Sequence, residues 1–299
     1  MNPLRLRVDV CTRRGLEVGV RGVLDVLRRV KARATFFVTF GPDASGLALL
    51  RMFDPRFAIK MMRTRAGSMY GWKTALYGTV LPAPLVGSEN PDLIRQIREE
   101  GHEVGMHGWD HRRWQDWLPD LSPDRLRSEF GLMMDAYRDA LGAEPASFAA
   151  PAWRLSRTLF ELTQSSGLRY GSDSRGTSPF IPVYEGVVGS VPQYPVTLPT
   201  LDEWLGRLSP ERFFERLVGQ SQAQPAYSCY TAHADGEGEG FAPLLERFLT
   251  RIGRPALPLG ETVPGTLKRH ELRSGFVEGR ASAVSLQGEL IPGRWVSRP

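Results

Sequence analysis

Cysteine is nearly absent: Cys11 and Cys229 are the only two among 299 residues, too few for the disulfide framework of a small secreted domain. Histidine is scarce as well, at five residues, so any metal or acid–base chemistry has few positions to draw on. No apolar run approaches the roughly 20 residues that a transmembrane helix needs. The opening MNPLRLRVDV lacks the apolar stretch and small-residue cleavage site of a secretory signal, which predicts residence in the cytoplasm. There is no internal repeat and no low-complexity tract. With 41% apolar and 24% charged residues, the composition excludes disorder, collagen and coiled coil and fits a globular chain of one or two domains.

What the chain does have is basic charge in two places. Lys and Arg number 38 against 33 Asp and Glu, and much of the resulting +5 falls within 266–299. The second concentration is 51–73, where Arg51, Arg56, Lys60, Arg63, Arg65 and Lys73 face Asp54 alone amid Phe53, Phe57, Met61, Tyr70 and Trp72. On a helical projection Arg56, Lys60 and Arg63 share one arc, flanked by Phe53, Phe57 and Met61. Such a stretch reads either as a solvated helix over the core or as an interfacial element that meets anionic lipid or a phosphate. Elsewhere the charges balance and no groove of alternating aromatic and basic residues is legible, so nucleic acid is not an expected partner.

Periodicity organises the rest. Residues 4–10 and 34–39 read as strands on either side of a helical stretch at 17–30, and helices at 90–100 and 123–141 alternate with short strands at 147–150, 169–172 and 227–233. Strands alternating with helices predict a parallel sheet, here an α/β domain of distorted (β/α) barrel type over 1–262. Barrels of this kind gather their chemistry at the C-terminal ends of the strands. Beyond Gly265 the periodicity fades, and 263–299 reads as a basic, loosely packed extension.

Five motifs fall at strand ends. His107-Gly-Trp-Asp-His111 sets two imidazoles at i and i+4, which face one cation if the segment turns helically. The same spacing also occurs by chance, and His102 upstream reads as a buried structural histidine. In Val8-Asp9-Val10-Cys11 a carboxylate and a thiol lie on the same side of a strand. Tyr230-Thr-Ala-His233, Ala150-Pro-Ala-Trp-Arg154 and Ser172-Asp173-Ser-Arg175 complete the set. Each taken alone has a bland account: Asp9 as a cap, His233 as a turn residue, Arg154 and Asp173 as a surface pair worth well under 1 kcal/mol.

In their order and identity these motifs resemble the polysaccharide deacetylase family (NodB homology, carbohydrate esterase family 4), and within it the branch of 4-deoxy-4-formamido-L-arabinose-phosphoundecaprenol deformylases. The matching stretches are RVDVCTRRG, ATFFVTFGPD, AGSMYGW, GHEVGMHGWDH, APAWR, YGSDSRGT, PQYPVTLPTLDEWLGR and YTAHADGEG, in order over about 4–262. AGSMYGW and PVTLPTLDEW point to the branch. The resemblance implies His107 and His111 as metal ligands, Asp9 as general base, His233 as general acid, and Arg154 with Asp173 as the pair that orients the base. It also implies one divalent ion, zinc foremost with cobalt, manganese or nickel as alternatives, and a lipid-linked sugar substrate met at the cytoplasmic face of the inner membrane. Arg175, Tyr70 and Trp72, with Arg56, Lys60 and Arg63, are the candidate substrate contacts. The implied activity is removal of an N-formyl group from the lipid-linked aminoarabinose used to modify lipid A, with polymyxin resistance as its outcome. The alternatives are a deacetylase of another N-acylated sugar and a non-catalytic binding homologue.

Two departures stand out. The family pattern at the first motif is Asp-Val-Asp, and its metal-binding second aspartate is here Cys11. A thiolate carries the same charge and binds zinc well, so a Cys, His, His site is chemically sound; otherwise Cys11 is a small buried residue and Asp9 shifts toward the metal. At Ala150-Pro-Ala-Trp-Arg154, the third motif of the family pattern, the usual arginine before Ala-Pro is Ala149, and the candidate arginine follows as Arg154.

Overall fold

The computed structural model describes residues 2–47, 74–224, 226–277 and 280–285; Arg56, Lys60, Arg63, Tyr70 and Trp72 lie outside the described residues. Eleven strands are described: β1 (Leu4–Val10), β2 (Thr35–Val38), β3 (Glu103–Met106), β4 (Ser147–Phe148), β5 (Tyr170–Gly171), β6 (Ile181–Tyr184), β7 (Val187–Val188), β8 (Cys229–His233), β9 (Ala256–Leu257), β10 (Arg269–Val277) and β11 (Arg280–Ser285). The main sheet runs β5-β4-β3-β2-β1-β8, with β9 beside the start of β1, and its strands are parallel. Parallel neighbours need crossovers, and helices such as Val20–Val30, Pro91–Glu99 and Pro123–Leu141 supply them.

The sequence of β1, LRLRVDV, shows why the sheet has two different faces. Leu4, Leu6, Val8 and Val10 pack into the large core beneath the helices, together with Val20, Val23, Leu24 and Leu27. The alternate residues Arg5, Arg7 and Asp9 therefore turn to the other face, inside the barrel. There Phe37, Tyr170, Tyr194, Val196 and Cys229 form a second, smaller apolar cluster.

Helix Pro123–Leu141 has the bounds that its sequence predicts, because both ends carry local stop signals. Ser122 accepts from the Arg125 amide, Pro123 occupies the first turn, and Gly142 ends the helix at φ 62°. That conformation suits glycine, and a hydroxyl cap contributes about 1 kcal/mol.

Within the described residues the barrel is not closed by regular strands. Instead, residues 192–198 bridge its two edges. Gly171 of β5 donates to the Pro192 carbonyl (2.9 Å) and accepts from Tyr194 (2.8 Å), while Cys229 of β8 accepts from Thr197 (3.2 Å) and Leu198 (3.0 Å). Pro192 and Pro195 lack N–H donors, which keeps this closure irregular. Beyond Gly265 the described residues include β10 and β11. β10 pairs in parallel with β6, matching Arg269 to Ile181 and Glu271 to Val183. Backbone pairing needs no side-chain periodicity, so this part of the fold left no pattern to read.

Candidate metal centre and acid–base site

His107 follows β3 directly, and its amide donates to the Val38 carbonyl (2.9 Å). Gly108 then takes φ +81°, where a Cβ would meet Pro151 Cγ at 3.0 Å. Asp110 caps the next helix by accepting from the Arg113 amide (2.9 Å), which makes His111 the first residue of helix His111–Trp117. The two imidazoles therefore do not share a helical face: one ends a strand and the other begins a helix. The left-handed turn at glycine brings their ring centres to 5.0 Å.

Cys11 leaves β1 beside them, and the donor atoms of Cys11, His107 and His111 lie within 4.8 Å of one another. A tetrahedral zinc site sets its donors about 3.3–3.7 Å apart, so these three need to draw in by only about 1 Å. The donor chemistry fits as well. His107 Nδ1 donates to the Ala149 carbonyl (2.8 Å), which fixes the tautomer and leaves the Nε2 lone pair for a cation. Burial, opposed by Asp9, lowers the His107 pKa to about 4, and burial with the neighbouring His107 pushes His111 well below its ordinary value. Both rings are thus neutral donors at neutral pH. Burial, with Asp9 and Asp235 nearby, pushes the Cys11 thiol well above its ordinary value. A bound cation reverses that preference, since it binds the thiolate.

Asp9 stands next to this group, its Oδ2 3.5 Å from His107 Nε2. Both of its oxygens are engaged by Arg7: Nε donates to Oδ1 (2.5 Å) and Nη2 to Oδ2 (2.7 Å). Burial alone would raise the Asp9 pKa, but Arg7 and then His107 hold it at about 2. The guanidinium on Asp9 is thus that of Arg7 and not Arg154, which corrects the sequence expectation. Ala152 and Trp153 have φ of 51° and 53°, and beyond that turn Arg154 Nη2 donates to the Asp116 carbonyl on helix His111–Trp117 (3.2 Å). Asp173 accepts from the Ala150 amide and from Gln193 Nε2, both at 2.8 Å. It therefore ties the third motif to the closing segment, and burial raises its pKa to about 6.

Arg175 is only 1% exposed. Its Nη2 donates to the Leu198 carbonyl (3.0 Å) and lies 3.5 Å from Glu203 Oε1, while its Cζ sits 4.5 Å from the Trp153 ring centre. Here it braces the closing segment inside the barrel.

His233 ends β8 and is matched in register to Asp9. Its side chain is partly exposed, with Nδ1 3.7 Å from Asp202 Oδ1. Burial lowers its pKa, but Asp202, Asp9 and Glu237 more than offset this, so the imidazole is raised from its ordinary value and holds its proton nearer to neutrality. Asp202 belongs to a capping box in which Thr200 and Glu203 bond each other's backbone N–H. His102 is buried, accepts from the Ala34 amide (3.4 Å) and lies against Phe36, in keeping with a structural histidine.

Sequence reading missed Arg7 and Asp202. Arg7 was signalled only by its spacing, two residues before Asp9 on one strand face, and Asp202 by the cap pattern Thr-Leu-Asp-Glu.

In sequence and in fold the chain is similar to known proteins. The polysaccharide deacetylase family model matches residues 8–171. A Shewanella sediminis (strain HAW-EB3) protein named "Probable 4-deoxy-4-formamido-L-arabinose-phosphoundecaprenol deformylase ArnD" is 36% identical, covering 96% of this chain and 95% of its own length. A protein of the same name from Wigglesworthia glossinidia brevipalpis is 32% identical, over 93% of this chain and 99% of that one. Among solved structures, a Mycobacterium smegmatis protein assigned to the polysaccharide deacetylases superposes with a TM-score of 0.58 at 17% identity, covering 89% of this chain and 94% of that chain. A family model spanning over half the chain, relatives matched along nearly all of it and a shared fold lead to one conclusion: this protein belongs to the polysaccharide deacetylase family, hydrolases that act on N-acyl groups.

Proposed function

We propose that this protein is a metal-dependent deformylase that releases formate from 4-deoxy-4-formamido-L-arabinose carried on undecaprenyl phosphate, in the route that adds aminoarabinose to lipid A. The observation that carries the chemistry is the convergence of Cys11, His107 and His111 within 4.8 Å beside an ionised Asp9. The substrate is supported by the two relatives of that name, matched along nearly the full length of both chains.

Cys11, His107 and His111 would hold a divalent cation, which would supply Lewis acidity toward water and an amide carbonyl. Asp9, held ionised by Arg7, accepts the proton of the attacking water. His233, across the strand register and backed by Asp202, delivers a proton to the sugar nitrogen as the C–N bond breaks. The products are formate and the free amine. No helix among the described residues is long and apolar enough to cross a membrane. In this reading the apolar and cationic stretch 51–73, which lies outside the described residues, meets the inner membrane.

The test is formate release from the lipid-linked formamido sugar by the purified, metal-loaded protein, with the N-acetyl analogue in parallel. Formate with little acetate is expected. Acetate in excess of formate would make the protein a deacetylase of another N-acylated sugar, and no turnover of either would leave a binding homologue.

A further inference from the structure

We propose that Arg7 is the positioning residue of Asp9, taking over from within β1 the part that the family resemblance gives to Arg154; this rests on the reading of Asp9 as the base. A guanidinium meets a carboxylate through two parallel bonds, which set the plane of the acid as well as its distance. Arg7 makes both, at 2.5 and 2.7 Å. Its remaining nitrogen, Nη1, donates across the barrel to the Ser172 carbonyl (2.6 Å) and to Ser172 Oγ (3.2 Å). Ser172 Oγ in turn donates to the Tyr194 carbonyl of the closing segment (2.8 Å). The Arg7 Cζ lies 5.0 Å from the Phe37 ring centre, so one face of the guanidinium is packed as well.

Asp9 is thereby keyed to β5 and to the segment that completes the barrel, and it cannot rotate without breaking its fork with Arg7. A lone ammonium at this place would keep the charge, but it cannot hold two carboxylate oxygens and Ser172 in one plane. Arg154 Nη2 donates to the Asp116 carbonyl of helix His111–Trp117. One side chain thus orients the base and adds to the bonds that fasten the barrel edge.

The test combines a double-mutant cycle with a spectroscopic readout. Arg7→Lys should lower kcat for formate release on the order of 10- to 10²-fold, as expected for a displaced reacting group, with KM and bound metal unchanged. In an Asp9→Asn background the same change should cost less than about threefold, because a residue acting through Asp9 has nothing left to act on. Arg154→Lys and Asp9→Asn should instead combine additively. In protein carrying ¹⁵N-arginine, the Arg7 Nε–H resonance should lie downfield and move on Asp9→Asn, whether or not any substrate turns over. Losses that multiply in the Arg7→Lys, Asp9→Asn protein, metal loss on Arg7→Lys, or coupling of Asp9 to Arg154 in place of Arg7 would overturn the proposal. Should Arg7→Lys fail to fold, the resonance in wild type and Asp9→Asn decides alone. A wild-type protein that releases no formate would sink the substrate reading while the resonance still judges Arg7.

Discussion

The two faces of β1 are built from one seven-residue strand, yet they obey different rules. Leu4, Leu6, Val8 and Val10 are fully buried against the helices and meet them only through apolar contact. Arg5, Arg7 and Asp9 on the other face each have named partners: Arg5 Nη1 donates to the Pro258 carbonyl (3.1 Å), Arg7 holds Asp9 and Ser172, and Cys11 continues the row toward His107 and His111. Apolar burial is non-directional, so many side chains of suitable volume satisfy the outer face. Buried charges are directional, and an unmade partner is expensive, so the inner face tolerates few alternatives. The outer face therefore carries stability and the inner face carries chemistry, and substitutions on each should separate the two.

The largest effect belongs to the inner face. Asp9→Asn and His233→Ala should each lower kcat by about 10²- to 10⁴-fold, the usual range for a lost proton-transfer group. Bound metal, measured by elemental analysis, should stay near the wild-type level; its loss on Asp9→Asn would make Asp9 a ligand and Cys11 a bystander.

Next comes Cys11. Removing an outer partner of a metal ligand typically weakens binding 10- to 100-fold, so loss of a ligand itself in Cys11→Ala should weaken zinc binding on the order of 10²-fold or more. Cys11→Asp should keep binding but move the preference from zinc toward manganese, since carboxylate is the harder donor. Competition with a chelator reads both outcomes. Unchanged affinity in Cys11→Ala would show that the thiol never reaches the ion.

On the outer face, Leu6→Ala should cost about 2–5 kcal/mol of stability, the range for a buried leucine. The kcat of the protein that remains folded should not move. A loss of kcat beyond the folded fraction would show that the two faces are mechanically coupled.

The smallest effect is an acid limb. Asp9 is held below the unfolded carboxylate value of 3.8, at about 2, so its ionised form contributes stability that is present above pH 4 and lost as pH falls through 4 toward 2. Urea titrations of metal-free protein over that window should show the loss, and Asp9→Asn should flatten it.

Helix Pro123–Leu141 and the alternation of strands with helices were legible because caps, glycine stops and periodicity are local signals. The candidate ligands were legible as residue types at strand ends. The geometry joining His107 to His111 was not, because φ at Gly108 is set by packing against Pro151 and Trp114. The pairing of Asp9 was not legible either. An arginine two residues away on its own strand face and another that follows the third motif look equally available in a linear chain.

By itself the sequence determined the alternation of strands and helices, the apolar outer face of β1 and the set of residues able to bind a cation or carry a proton, since each depends on side-chain chemistry and short-range spacing. Tertiary structure alone decided that residues 192–198 close the barrel, that β10 joins β6 and that Arg7 grips Asp9. These are hydrogen bonds between backbone or charged groups whose partners lie elsewhere in the fold or could equally have been others, and such bonds leave no periodic trace along the chain.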